Sequence, residues 1–501
     1  MNRQIIKPFL SLLLASAVFS CKDDDDAPFT PIGGGGGTPV DSTTLDDGPV
    51  DFSKLQDTYG HLASPGLTAQ WTHYNVHDPA YWVDENFVYC YNTDVAFGHD
   101  IRPGIQIRRS INLVEWEFVG WAFPGLPTKG ANFIRQNGGE PFNSLWAPYI
   151  IKIGSEYRLY YSLSSPTPRL SVIGLAVSSS PKGPFLERDL VVTSRANGAI
   201  QTNAIDPTIV VAENGSHWMY YGSAWDGIYK LELNPVTGLA RLNEDKGVRV
   251  AQRAFTGGTV NGNIEGPEII YNPEFDKYYL FIAYDWLETK YNVRVGRSDN
   301  ANGPFYDILG NNMNEEKDDK PMIVAPYRFQ GHGGWQGVSH PGVFKKDDHF
   351  YIGHQGRPGV NRYFMVMHVR QLFWTPDGWP LVSCQRFATE AETPVEKAEL
   401  VGNWEQITFS YEVVPGYANE QTSPGFSDSE TIALEPGGTL SGASTGAWTY
   451  ASPWLTLQYG NGTTATLRVE RGRDWENEVT STLLFTGLNN QQVTVWGKKV
   501  Q

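Results

Sequence analysis

Five short motifs place an acid, an imidazole or an indole at or next to the residue that precedes a proline. They are Val76-His77-Asp78-Pro79, Leu145-Trp146-Ala147-Pro148, Ile205-Asp206-Pro207, Ile264-Glu265-Gly266-Pro267 and Ser339-His340-Pro341. Singly, Asp before Pro is a common turn former. Together, three of the five supply a carboxyl group, one a Trp and one a His. Three acids facing one small cavity repel, so at least one is expected to hold its proton more tightly than usual. Such a group can serve as general acid while an ionised neighbour serves as general base. An aromatic ring beside paired carboxyl groups suits a sugar, which has apolar C–H faces and hydroxyl edges. Asp78, Asp206 and Glu265 are therefore the candidate catalytic residues. Glu268, Asp226 and Asp285 lie close by in sequence and are read as turn or binding residues.

Bringing these positions together requires one unit repeated round an axis. The prolines stand at 79, 148, 207, 267 and 341, and each is followed by an apolar strand, a turn and an aromatic strand. Those second strands include Phe87-Val88-Tyr89, Tyr157 to Tyr161, His217 to Tyr221, Lys277 to Phe281 and His349 to Ile352, and a third strand follows each. Units of this kind predict propeller blades, with the innermost strands lining a channel and the pre-proline residues crowding one mouth. The expected fold class is all-β: a five-bladed β-propeller over residues 63–393, then a small C-terminal β-barrel or sandwich over 394–501. The tail earns that reading from short alternating strands between Gly-rich turns such as Pro436-Gly437-Gly438 and Gly460-Asn461-Gly462.

The 501 residues carry 39 basic and 55 acidic side chains, a formal charge of −16. A chain this acidic is a poor phosphate binder, so nucleic acid is excluded as an expected partner. With 52 Gly, 16 Trp, 25 Tyr and 24 Phe, the composition fits a turn-rich β-protein with aromatic binding surfaces. Three cysteines exclude a disulfide scaffold and a Cys-built zinc site. For Cys90 and Cys384, a closing disulfide and two buried thiols both fit the sequence.

Residues 1–20 hold Arg3, Lys7 and an apolar run from Phe9 to Phe19, the pattern of a secretory signal. The run ends at Val18-Phe19-Ser20-Cys21, which resembles a bacterial lipobox and implies acylation of Cys21. The acidic stretch Asp23 to Asp26 resembles the surface-export signal of Bacteroidetes lipoproteins. Residues 21–62, with Gly33 to Gly37, read as a flexible tether. Loss of residues 1–20 would take away two positive charges and leave a formal charge of about −18. The expected location is the cell outer membrane, lipid-anchored and facing outward, and the expected state is a monomer.

From Leu67 to Thr389 the chain resembles the arabinanases of glycoside hydrolase family 43. The matching pieces are the motifs at His77-Asp78-Pro79 and Leu145-Trp146-Ala147-Pro148, then Asn203-Ala204-Ile205-Asp206-Pro207 and Tyr221-Gly222-Ser223-Ala224-Trp225-Asp226-Gly227. Val295-Gly296-Arg297-Ser298 and His368 to Trp374 with Asp377-Gly378-Trp379-Pro380 complete the set. The resemblance implies a five-bladed propeller and an inverting glycosidase acting on internal α-1,5 bonds of arabinan. It implies Asp78 as general base, Glu265 as general acid and Asp206 as the group that orients Glu265 and helps keep its pKa high. It implies His77, Trp146, Asn203, Ser223 and Trp225 as substrate-binding residues. His340 matches a histidine that contacts a calcium ion held mostly by water.

Three positions depart from the family pattern: Tyr149 stands where Asp is common after Trp-Ala-Pro, Gly266 where Ala is usual, and Val338-Ser339 where Pro-Gly is common. Two rival functions fit the same residues: an exo-acting arabinofuranosidase or xylosidase of the same family, and a non-catalytic glycan-binding surface lipoprotein.

Overall fold

The computed structural model describes residues 49–55, 68, 70–97, 101–197, 202–256, 259–260, 263–390 and 392–500. The expected signal segment, the acylated Cys21 and most of the tether lie outside the described residues. No helix among those described is long and apolar enough to cross a membrane.

Four antiparallel four-stranded sheets stand as separate blades. The first joins β1 (Ala80–Val83), β2 (Val88–Asn92), β3 (Gln106–Ser110) and β4 (Glu117–Trp121). A nine-residue helix, α1 (Thr128–Gln136), connects it to the second: β5 (Trp146–Ile153), β6 (Glu156–Leu163), β7 (Ser171–Ser178) and β8 (Leu186–Ser194). The third holds β9 (Thr208–Val211), β10 (His217–Tyr221), β11 (Ile228–Leu233) and β12 (Val248–Ala251). After a short hairpin of β13 (Phe255–Thr256) and β14 (Thr259–Val260), the fourth holds β15 (Ile264–Asn272), β16 (Lys277–Tyr284), β17 (Asn292–Ser298) and β18 (Met322–Val324). The second strands are the most deeply buried: β16 reads intermediate at Lys277 and then buried through Tyr284. Strands covered on both faces are continuous apolar runs, which is why the aromatic segments marked the repeat.

The fifth unit departs from expectation. Its strands are β21 (Gly342–Lys346), β22 (His349–Pro358), β23 (Val366–Trp374) and β24 (Pro380–Val382). They do not close off as a separate blade but belong to a seven-stranded sheet that also contains β19 (Tyr327–Arg328), β20 (Trp335–Gln336) and β26 (Ser427–Asp428). The expectation of a five-bladed propeller is corrected accordingly: the propeller has four discrete blades, and a composite sheet completes the ring. The cause is the length of β22. Its residues His349 to Gly353 pair with β21, but Arg357 and Pro358 run on and take β20 as partner. Backbone groups left open on a sheet edge recruit further strands. Here β19 then pairs in parallel with β26, from the C-terminal part of the chain. Strand β21 packs against both β1 and β15, so the composite sheet sits between the first and fourth blades.

The C-terminal part resolves as a closed eight-stranded barrel. It runs β25 (Gly402–Thr408), β27 (Glu430–Leu434), β28 (Thr439–Gly442), β29 (Gly446–Ala451), β30 (Trp454–Tyr459), β31 (Thr464–Asp474), β32 (Val479–Asn489) and β33 (Thr494–Lys499), and β33 closes on β25. Trp404, Trp448, Leu455, Leu467 and Phe485 fill it. The barrel and the composite sheet share one core, in which Trp496 meets Tyr327 at 5.4 Å. Cross-links include Thr494 Oγ1 to Met322 O at 2.7 Å and Cys384 Sγ to Gly497 O at 3.2 Å. Cys90 and Cys384 are both buried free thiols.

Candidate active site

The residue directly before each motif proline has a left-handed backbone: Asp78 (φ 52°), Ala147 (φ 30°), Asp206 (φ 59°), Gly266 (φ 55°) and His340 (φ 58°). Residues before proline ordinarily favour extended backbone, and left-handed non-glycine residues cost about 1–3 kcal/mol each and cluster at functional sites. The turn aims successive side chains into the mouth of the ring just before the strand enters its sheet.

Asp78, Asp206, Glu265 and His340 meet there. His340 Nδ1 lies 2.9 Å from Asp78 Oδ1, and His77 Nδ1 approaches the same oxygen at 2.6 Å. Thr93 Oγ1 donates to Asp78 Oδ2 at 2.6 Å and accepts from Ala147 N at 2.8 Å, tying the first motif to the second. The Asp78 amide donates to Gln355 Oε1 at 3.1 Å. Burial opposes ionisation of Asp78, but the charges and hydrogen bonds of His340 and His77 outweigh it and hold the carboxyl well below its usual range. Burial works against a charged His340 too. It is outweighed by Asp78 first and then by Asp206 and Glu265, so the imidazole is raised to about 9.

Glu265 has both oxygens engaged: Ser223 Oγ donates to Oε2 and Tyr291 OH to Oε1, each at 2.7 Å. Asp206 Oδ2 accepts from Gly266 N at 3.1 Å, so the second acid is bonded to the backbone beside the third. Burial first, relieved in part by His340, and then the nearby Glu265 and Asp78 push the Asp206 carboxyl well above the ordinary range. The proton expected on one of three crowded acids is thus favoured at Asp206. Gly266 is small for a reason: a Cβ there would sit 2.9 Å from His340 Nδ1.

The expected substrate-binding residues divide. His77 is on Asp78. Ser223 is on Glu265, and Asn203 pairs through its backbone with Ser223. Trp146 is half-buried at the rim, stacked on Phe142 at 5.0 Å. Trp225 is half-buried and stacked on Tyr417. Of the acids set aside, Asp226 pairs with Arg249, and Asp285 lies in a buried network with Arg253. Glu268 accepts from Thr208 Oγ1, and burial raises it to about 8. Sequence reasoning did not find Thr93, Ser162 (which accepts from the Asp206 amide at 3.1 Å), Tyr291 or Gln355. None stands in a repeated motif, so only proximity reveals them.

His340 also bears on the implied calcium ion. A metal-binding histidine commonly donates its second ring N–H to a carboxylate, and the contact from His340 Nδ1 to Asp78 matches that arrangement. Among the described residues no group of three or more His, Cys, Asp or Glu is placed to hold a metal. An ion at His340 would have to draw its remaining ligands from water.

The comparisons agree with this geometry. The profile of glycosyl hydrolases family 43 matches residues 72–380, and that of a C-terminal lipocalin-like domain matches 384–497. The extracellular endo-alpha-(1->5)-L-arabinanase of Thermotoga petrophila is 28% identical over 88% of this chain and 96% of that protein. The extracellular endo-alpha-(1->5)-L-arabinanase 2 of Bacillus subtilis is 26% identical over 85% of this chain and 93% of that one. A crystal structure of the endo-1,5-alpha-L-arabinanase from Thermotoga petrophila superposes with a TM-score of 0.72 at 26% identity, covering 85% of this chain and 99% of the other. With more than half of its length matched to one profile, and its acids gathered where that profile runs, the chain belongs to glycosyl hydrolases family 43.

Proposed function

We propose that the chain is an inverting endo-α-1,5-L-arabinanase that hydrolyses internal bonds of arabinan. The observation that carries this reading is the convergence of Asp78, Asp206 and Glu265 around His340. The two-domain relatives, matched over nearly their whole length, support the substrate and the endo mode.

Asp78 is held ionised by two imidazoles and serves as general base. It takes a proton from a water whose oxygen attacks the anomeric carbon on the face opposite the leaving group. Glu265 delivers to the departing glycosidic oxygen, as the bond breaks, the proton that the crowded acids retain and that rests on Asp206 before substrate binds. Tyr291 and Ser223 each donate to one oxygen of Glu265 and so fix the orientation of its carboxyl group. Asp206 anchors the Gly266 amide and keeps the acid-bearing strand in register. Inversion follows when acid and base stand on opposite faces with room for water between them. His340 would hold the calcium ion through the ring nitrogen not turned to Asp78, with waters completing the shell. The ion would supply positive charge beside three carboxyl groups.

The chain would act as a monomer. Cys21 would anchor it by lipid at the outer membrane, facing outward, and Cys21→Ser would release it to the medium.

Asp78→Asn and Glu265→Gln should each lower kcat on linear arabinan by about 10²–10⁴-fold, the usual weight of general acid–base catalysis. Wild-type rates in either variant would sink the assignment. A product time course separates the modes, since mixed oligomers mark endo cleavage and arabinose alone marks exo cleavage. Binding of arabinan without new reducing ends would mark a non-catalytic receptor.

A further inference from the structure

The chain between β25 and β26, residues 409–426, leaves the barrel and crosses to the propeller mouth. Its far end is clamped by the parallel pairing of Ser427 with Tyr327 and by Arg328 Nε on Asp428 Oδ1 at 2.7 Å. Its middle is anchored by Gln421, which is 1% exposed. Gln421 Oε1 accepts from Asn263 Nδ2 at 3.0 Å and from the Trp286 amide at 2.5 Å, and its Nε2 donates to Asp285 Oδ1 at 2.9 Å. Tyr411 OH donates to the other Asp285 oxygen at 2.9 Å. Asn263 stands two residues before Glu265. The C-terminal part of the chain therefore holds a side chain two residues from the proposed general acid.

Between these anchors the segment turns at Gly416 (φ 112°), where a Cβ would strike the Glu420 side chain at 2.6 Å. Glu420 Oε2 in turn accepts from the Tyr417 amide at 2.7 Å. The turn lays Tyr417 flat on Trp225, with centroids 5.3 Å apart and planes 5° from parallel, and sets it against Trp286 at 5.2 Å. Tyr417 and Trp225 are half-buried as whole residues. Trp225 belongs to the turn after β10 that also carries Ser223, the residue on Glu265 Oε2, and the Ala224 amide between them donates to Ile264 O at 2.8 Å. The aromatic pair thus stands on the acid side of the site. Consistent with that position, burial and then the charges of Glu265 and Asp206 push the Tyr417 phenol above its ordinary range.

We propose that Tyr417 is a specificity-determining residue: with Trp225 it forms a wall, supplied jointly by the two domains, for the arabinose unit on the leaving-group side of the cleaved bond. The proposal rests on the assignment of Glu265 as general acid, because the departing sugar lies where the acid delivers its proton. It gives the C-terminal domain a part in substrate recognition. Flat aromatic rings offer large contact area at little conformational cost.

The test uses the full chain and purified linear α-1,5-arabino-oligosaccharides of three and six units. Tyr417→Ala should raise KM for the hexamer by about tenfold and change kcat by less than about threefold, the mark of lost uniform binding. Tyr417→Leu, which keeps bulk without a flat ring, should do the same, and Tyr417→Phe should restore KM. The KM increase should be larger for the hexamer than for the trimer. An unchanged KM in the Ala and Leu variants, or losses of kcat that follow lowered Tm equally in all three, would overturn the proposal. If the wild-type enzyme releases no reducing ends from arabinan, the proposed function itself fails. If it does and the Tyr417 variants keep its KM, only the role of Tyr417 fails.

Discussion

His340 Nδ1 lies 2.9 Å from Asp78 Oδ1, joining the first and last motifs of the ring across 262 residues of chain. The pair ties stability to pH from both sides. Asp78 is held below its ordinary value of 3.8, so its contribution is present above that pH and fades on acidification. His340 is raised from 6.5 to about 9, so its contribution is complete below pH 6.5 and is lost as pH climbs through about 9. In chelator-treated protein, His340→Gln should lower Tm at pH 6 by at least about 3 °C, and the gap should close toward pH 9.5. A gap that stays constant across that range would show that the imidazole charge contributes nothing.

If His340 holds calcium as proposed, the ion and a proton compete for the same imidazole. A metal ligand must be deprotonated, and His340 is protonated at neutrality when no ion is bound, given its value of about 9. Calcium binding to chelator-treated enzyme at pH 7 should therefore release close to one proton. Calorimetry in buffers of different ionisation enthalpy reads that number directly. Binding without proton release would place the ion elsewhere, and His340→Gln should abolish the signal.

Tyr291 OH donates to Glu265 Oε1 at 2.7 Å, opposite Ser223 on the other oxygen. Tyr291→Phe keeps the ring and removes one hydrogen bond from the proposed acid. A bond to a charged or reacting group is worth about 1.5–3 kcal/mol, so kcat should fall at least about tenfold with KM little changed. Steady-state kinetics on linear arabinan check the split. A rise in KM alone would move Tyr291 from acid positioning to substrate binding.

Gly266 stands at φ 55° with His340 Nδ1 2.9 Å from where a Cβ would lie. Gly266→Ala should cost about 1–2 kcal/mol from backbone strain and contact and should displace His340 from Asp78. Thermal melts and kcat should fall together. An alanine variant with unchanged Tm and rate would show that the ring gives way freely at this point.

Much of the site was legible because its chemistry is carried by a repeated local signature. Asp78, Asp206, Glu265 and His340 were all visible beside their prolines. Their shared left-handed turn explains why the pattern recurs: the same backbone solution aims a side chain into the mouth each time. The residues that tune them were not legible. Thr93, Tyr291 and Gln355 reach the acids through hydrogen bonds between segments that nothing in the linear pattern connects.

The sequence by itself determined the all-β class, the repeated strand–turn–strand unit, the acids and histidine at the channel mouth, and the change of pattern near residue 394. These follow from local rules: continuous aromatic and apolar runs in the blades, alternation in the tail, proline at strand entries and glycine at turns. Only the tertiary structure decided that the fifth unit merges into a seven-stranded sheet, that the tail closes as a barrel, and that Tyr417 lies on Trp225. Two-residue strands such as β19 and β26 leave no hydropathy signature, and their pairing joins residues 100 apart in the chain. Sheet edges and aromatic faces find their partners by proximity in the folded ring, which the order of residues alone does not encode.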